Sequence, residues 1–397
     1  MEAVKVHTGG VRLARAWRLA LEGIAVGSVL LLAGCSASSG QTAASNTTAP
    51  PPVTVTSNPA PGSHDVPLGQ RLDVAVTNGT LTSIVVTSKS GTVRGVLPPA
   101  ATSWASALPL TPTTTYTVKA WLKDVLGRIS HEQWAFTTAA PSLEFRAIVS
   151  PGDGAVMGVG MPVIVTTNVP IPDAQRAAFE QRLTVSATPA VNGAWHWFSP
   201  TELHWRPVNY WAPGTKVAVT ARINGYDAGN GVWGEKDVTV HYSIGDSHIS
   251  IVNVATHEMT VFDNGKIIKV IPVSTGRDKY PTKGGVHVVS DKTPKTIMDS
   301  ATVGIPRDSP DGYYETVYWD VRISNSGEFV HAAPWSVGDQ GSTNVSHGCV
   351  NVSTANAEWF YDYSQVGDVV DVLNSPVQLE PTNGIGDWQI PWAQWAN

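Results

Sequence analysis

Apolar and polar positions alternate along most of this chain, and a period of two residues predicts strands rather than helices. Tyr116, Val118, Ala120 and Leu122 alternate in one run, the Thr-Asn-Gly-Thr stretch at 77–80 reads as a tight turn, and Glu-Gln-Trp-Ala-Phe at 132–136 reads as a closing strand. A second segment repeats the pattern with Val217, Val219, Ala221 and Ile223, and Trp195, Trp197 and Trp205 supply bulky core candidates. There Asp173 is the expected cap of a short helix through 174–183. A third segment starts near Ser247. Residues 248–275 read as two strands around Asn264-Gly265, a strong hairpin signal. Strand-like runs at 284–290 and 316–323 flank a stretch rich in Gly, Pro and Asp, 291–312, which reads as a long excursion or lid. Ala355, Trp359 and Tyr363 recur every four residues, predicting one helix started by Ser353, and 367–373 closes as a strand.

Composition supports several β-rich domains. Charged residues make up only 15% of the 397, against 36 Gly and 28 Pro, whereas helical domains need more Glu, Lys, Leu and Ala. The first two segments have the length and strand spacing of small immunoglobulin-like sandwiches, without paired cysteines. A net charge of −6 and the lack of a basic cluster beyond the N-terminus argue against nucleic acid as a partner. At the N-terminus Lys5, Arg12, Arg15 and Arg18 precede an apolar stretch from Gly23 to Cys35. That stretch is shorter than the about 20 residues of a spanning helix and suits a signal peptide. Leu32-Ala33-Gly34-Cys35 resembles the lipobox of bacterial lipoproteins, which implies lipid on Cys35, a membrane partner and a place on the outer face of the plasma membrane. The expected organisation is a signal peptide at 1–35, a Ser/Thr/Pro-rich linker at 36–62, Ig-like domains at 63–140 and 141–246, a third domain at 247–375, and a tail at 376–397 carrying Trp388, Trp392 and Trp395.

The chain has two cysteines. If Cys35 is lipidated or removed, Cys349 has no disulfide partner, and outside the cytoplasm a free thiol is a liability unless it is buried or used. Ser346, His347, Gly348 and Asn351 around it do not resemble a strand core. A thiol of ordinary pKa, about 8.5, is mostly protonated at neutral pH, so a catalytic cysteine needs a base or cation nearby. His331 and His347 are the candidates, and His331, 349 − 331 = 18 positions upstream, is favoured as ion-pair partner because it can lie on a neighbouring strand. Gly348 allows a sharp turn, in which the amides of Gly348 and Cys349 could point at a developing oxyanion.

His331, a spacer, and then Ser346-His347-Gly348-Cys349-Val350-Asn351 is similar at every fixed position to the signature of the L,D-transpeptidase (YkuD) family. The order of lipobox, linker, two Ig-like modules, catalytic domain and Trp-rich tail resembles the larger mycobacterial members. The resemblance implies a mainly β protein whose catalytic domain carries a lid and one or more short helices. It also implies chemistry on peptidoglycan stem peptides, as donor and acceptor, without a cofactor or metal. Cys349 would attack the third-residue carbonyl of a tetrapeptide stem, releasing D-Ala and leaving a thioester. His331 would be the base, its other ring nitrogen held by a backbone carbonyl, that of Ala332. His347, Gly348 and a lid tyrosine, Tyr313 or its neighbour Tyr314, would shape the oxyanion hole. Met298 would line the donor pocket, with Ser346 and Asn351 beside it and Asn351 bracing the loop. An amine acceptor gives a 3→3 cross-link, and water gives a carboxypeptidase.

Two other readings compete. His331, His347 and Cys349 are zinc-ligand types, but a structural zinc site wants four ligands at short paired spacings, and only His-x-Cys is present. A non-catalytic wall-binding lipoprotein could use some of the 15 Trp to hold glycan, although most of them fall in β patterns that core burial explains. His204, His241 and His257 read as surface or satisfied strand residues.

Overall fold

The computed structural model describes residues 50–396, so the expected signal peptide, Cys35 and most of the linker lie outside the described residues. Strands dominate, and the described residues include three short α-helices. The first module packs two four-stranded sheets face to face. One runs in the order Thr54–Asn58, Asp73–Thr77, Ser103–Ser106, Gly95–Val96, and the other Gly91–Thr92, Gly79–Ser88, Thr115–Asp124, Ile129–Thr137. Tyr116, Val118, Ala120 and Leu122 are all buried between them with Leu72, Trp104 and Phe136. Thr54–Asn58 lies inside the stretch expected to be linker. Its Thr-rich sequence has no apolar alternation, and its strand conformation comes from pairing along Asp73–Thr77. The turn at Asn78, with φ of 58°, carries the chain from one sheet to the other.

The second module is also a pair of four-stranded sheets, with Phe145, Phe179, Trp205, Trp211 and Val219 in its core. Its helix is Asp173–Glu180. Pro172, extended at φ −60° and ψ 145°, takes the cap position, so Asp173 is the first helical residue and pairs with Arg176 at 2.9 Å instead of capping. Its carboxylate still favours the helix start through the dipole.

The third region has a five-stranded sheet, Lys266–Pro272, Glu258–Asp263, His248–Asn253, Val369–Leu373, Gly285–Val288, and a four-stranded sheet, Asp291–Asp299, Tyr314–Arg322, Phe329–Ala332, Val350–Val352. Three strands, not two, occupy 248–272, because the chain turns at 254–257 as well as at Asn264-Gly265. The latter pair has φ of 47° and 78°, a left-handed pairing that suits a two-residue hairpin. Much of the expected lid is also strand: Asp291–Asp299 pairs with Tyr314–Arg322, leaving 300–313 as the loop proper. None of its side chains is fully buried on either face, so no alternation marks it in the sequence. Helix Thr354–Tyr363 is capped by Ser353, whose hydroxyl accepts the Asn356 amide at 3.3 Å, and it packs Ala357 and Phe360 into the core.

The second module and the third region are joined closely. Gly158 and Gly160 donate to the carbonyls of Val366 and Gly367 at 2.8 and 2.9 Å, and a Cβ on Gly158 would lie 2.2 Å from the Asp368 nitrogen. Only glycine permits that approach. The tail docks on the second module: the fully buried Trp395 donates its indole N–H to Ala194 at 2.9 Å, and Arg206 lies 4.5 Å from the ring centres of both Trp388 and Trp395. His204 bonds Asp387 of the tail at 2.9 Å and Glu202 at 3.1 Å.

Candidate active site

Phe329–Ala332 and Val350–Val352 are adjacent parallel strands in which His331 stands opposite Asn351. Cys349 immediately precedes the second strand, so a separation of 18 positions in sequence becomes a neighbouring pair of strand ends in space. The chain reaches Cys349 through a turn at Gly348, whose φ of 125° favours glycine. Two hydroxyls hold that turn. Ser346 Oγ accepts the Gly348 amide at 3.1 Å and donates to the Cys349 carbonyl at 2.6 Å, while Thr282 Oγ1 donates to the Gly348 carbonyl at 2.7 Å. The Gly348 amide is therefore spent within the turn, which corrects the expectation that it points at a developing oxyanion.

Cys349, His331, His347, Ser346, Asn351, Met298 and Tyr313 line one pocket of about 240 Å³, enough for a reacting amide and its immediate neighbours. Met298 and Tyr313 come from the two sides of the lid hairpin. Tyr313 is fastened at both backbone groups by Ser300, and its ring centre is 5.0 Å from that of His347. Tyr314 instead faces solvent, with the Arg307 guanidinium 4.5 Å from its ring centre. Asn351 is buried and donates to Ser336 Oγ at 3.2 Å, a brace between the strand and the following loop.

The electrostatics depart from an ion pair. Burial pushes the His331 pKa down to about 4, against the opposing pull of the Ala332 carbonyl, which its Nδ1 meets at 3.0 Å. Burial likewise pushes the Cys349 thiol up to about 12, and the thiol's hydrogen bond goes to the carbonyl of Gly327 at 3.5 Å. Burial therefore favours the neutral thiol and the neutral imidazole over their ions. With Nδ1–H donated to Ala332, Nε2 is the basic nitrogen, and Asn351 also hydrogen-bonds the ring. Burial and the facing Cys349 also push the Tyr313 hydroxyl up to about 12, so it stays a donor at neutral pH.

Several neighbours escape a motif search. Arg277 donates to His347 Nε2 at 2.7 Å and to Asp311 at 2.5 Å, and Asp311 also bonds Lys279 and Tyr280, tying the lid to the loop before Gly285. Trp335, half-exposed, forms part of the pocket rim. Arg277, Lys279 and Tyr280 are crowded into residues 277–280, a hint of a built loop, but nothing in the sequence pairs them with Asp311.

A β-rich domain with a cysteine, two histidines and a lid tyrosine around one pocket is an arrangement suited to acyl transfer. A family model described as the L,D-transpeptidase catalytic domain matches residues 247–372, and one described as a bacterial Ig domain matches 63–227. L,D-transpeptidase 2 of Mycobacterium tuberculosis is 40% identical over 343 residues, covering 86% of this chain and 83% of that one. L,D-transpeptidase 5 of the same species is 34% identical over 360 residues, covering 88% and 77%. A solved structure of an LD transpeptidase in complex with imipenem is 38% identical, covers 57% of this chain and 97% of that chain, and superposes with a TM-score of 0.51. The chain belongs to the L,D-transpeptidase family, with its catalytic domain preceded by Ig-like modules.

Proposed function

We propose that this chain is a lipid-anchored peptidoglycan L,D-transpeptidase that forms 3→3 cross-links through a thioester on Cys349. The observation that carries the reading is the convergence of Cys349, His331 and Tyr313 on one pocket from two adjacent strands and a lid. The thiol turns from Gly327 toward His331 Nε2, gives up its proton there and attacks the third-residue carbonyl of a donor stem. The oxyanion is met by the Tyr313 hydroxyl and, in our assignment, the Cys349 amide, since the Gly348 amide is engaged by Ser346. The C–N bond to the terminal D-Ala breaks, and the imidazolium returns the proton to the departing amine. The side-chain amine of another stem's third residue then attacks the thioester, passing a proton through His331 to the leaving sulfur. No ATP is needed, because the energy of the lost amide is held in the thioester. Lipid on Cys35 would keep this chemistry at the outer face of the plasma membrane.

The purified protein mixed with a disaccharide-tetrapeptide should release D-Ala and yield a dimer joined between third residues, followed by mass. A carbapenem should leave a stable adduct on Cys349. Cys349→Ala should abolish both. Dimer formation by that variant would overturn the assignment in favour of a wall-binding role, and tripeptide alone would make the protein a carboxypeptidase.

A further inference from the structure

One end of the first module gathers side chains that a soluble surface ordinarily hides. The hairpin joining Thr115–Asp124 to Ile129–Thr137 carries Val125, Leu126 and Ile129 at 62%, 60% and 63% exposure. The loop before Ser103 comes to the same end, whereas the exposed Val96 sits further along the sheet, opposite Ala105 and level with Asp73. That loop is held there because Ala101 accepts the Leu81 amide at 2.6 Å, and Leu81 lies two residues into the strand whose first residue, Gly79, pairs with Asp124. Scattered exposed apolar residues are ordinary, but a contiguous group marks a contact.

The chain enters the module at this same end. Thr54 pairs with Thr77, the Asn78 side chain donates to the Pro52 carbonyl at 3.1 Å, and a Cβ on Gly79 would lie 2.7 Å from Val53. Residues 36–51 separate Cys35 from this point, 51 − 36 + 1 = 16 positions. Fully extended, that many residues reach at most about 53–58 Å. A lipid on Cys35 would therefore keep this end of the module within that distance of the bilayer. The second module attaches at the opposite end, where Thr111 and Pro112 lie against Gly225, so contact at the tip leaves it unobstructed. Of the charges in residues 123–129, Arg128 pairs with Asp124 at 2.6 Å, which leaves Lys123 as the local positive charge toward an anionic lipid surface.

We infer that this end is a membrane-contact surface, with Val125, Leu126 and Ile129 entering the interfacial layer of the bilayer that holds the N-terminal lipid. It adds a protein contact to the anchoring by the N-terminal lipid. The inference rests on the reading of Cys35 as the lipidated residue, and its test supplies the tether independently. Residues 51–397 form one compact unit, so the chain from residue 36 can carry an N-terminal oligohistidine and be held on vesicles of phosphatidylglycerol and phosphatidylethanolamine doped with nickel-chelating lipid. In a Cys349→Ser background, an environment-sensitive fluorophore on Leu126→Cys should shift to the blue and be quenched by lipid-borne nitroxide. The same label on Leu108→Cys, at the far end, should do neither. Adding Val125→Ser and Ile129→Ser should cut the lipid-inserted fraction of the Leu126 probe about tenfold, the effect of about 1.4 kcal/mol. A Leu126 probe as open to water as the Leu108 probe would overturn the inference, as would a blue shift without vesicles that grows with protein concentration, the mark of a second copy. In cells, Cys35→Ala tests the lipidation reading separately: retention of that variant in the membrane fraction defeats lipidation, while the tethered vesicles still decide the tip.

Discussion

Cys349 and His331 are pushed by burial in opposite directions, the thiol up to about 12 and the imidazole down to about 4, and the pair is neutral across the whole range between. A thiolate attacking without a base would gain tenfold per pH unit as the pH rises. A neutral thiol that transfers its proton to a neutral imidazole has no such dependence, because the number of protons on the pair does not change. The rate of acylation by a carbapenem is therefore expected to be flat between roughly pH 6 and 9 and to fall only in acid, as His331 takes up a proton. In His331→Ala the base is lost, the rate should drop about 10²–10⁴-fold near neutrality, and what remains should climb with pH toward the thiol pKa. Stopped-flow measurement of both profiles decides the matter, and a wild-type rate that climbs tenfold per unit through neutrality would contradict the neutral pair.

At the scale of elements, the lid hairpin carries a division that sequence alone leaves open. Tyr313 and Tyr314 are adjacent where the loop enters the strand Tyr314–Arg322, and there one meets the pocket and the other meets water. Tyr313→Phe is expected to lower acylation about 10²–10³-fold, the usual cost of one oxyanion donor, whereas Tyr314→Phe should stay within about twofold. Equal losses in the two variants, measured by adduct mass against time, would remove Tyr313 from the oxyanion hole. The catalytic strands were legible for a related reason. Ser-His-Gly-Cys is a local run whose chemistry is written in adjacent residues, and alternation in 115–124 and 216–221 follows directly from one buried face. The lid strand Asp291–Asp299 was not, because a strand fully buried on neither side needs no periodic apolar residue. The Arg277–Asp311 tie was not either, since a pair 34 residues apart leaves no local pattern. The charge state of the pair was not legible for a different reason. Spacing can bring a thiol and an imidazole together, but their charges depend on how much water the fold removes, which a one-dimensional pattern does not contain.

For the whole molecule, the tail adds a second link between the catalytic domain and the second module beside the Gly158 and Gly160 contacts, and one buried contact in that link is titratable. Burial alone would lower the His204 pKa, yet Asp387 at 2.9 Å and Glu202 at 3.1 Å overcome it and raise the value from 6.5 to about 9. A raised folded-state pKa contributes stability that is fully present below about pH 6.5 and is lost as the pH rises through about 9. The shift corresponds to on the order of 3 kcal/mol. Above that pH, His204 is neutral and the fully buried Asp387 loses its hydrogen-bonded cationic partner, a costly change beside an Oδ2 that already lacks a hydrogen bond. Arg206, stacked among Trp388, Trp392 and Trp395, is the remaining positive charge in the junction and limits the loss. Hydrogen exchange at residues 387–395, corrected for intrinsic rates, should therefore lose about 10–100-fold of its protection between pH 7.5 and 10. His204→Gln, which keeps a neutral donor but cannot be charged, should begin less protected and show no step. An equal step in that variant would place the titration elsewhere, and no step in the wild type would mean that the tail is held by its tryptophans alone.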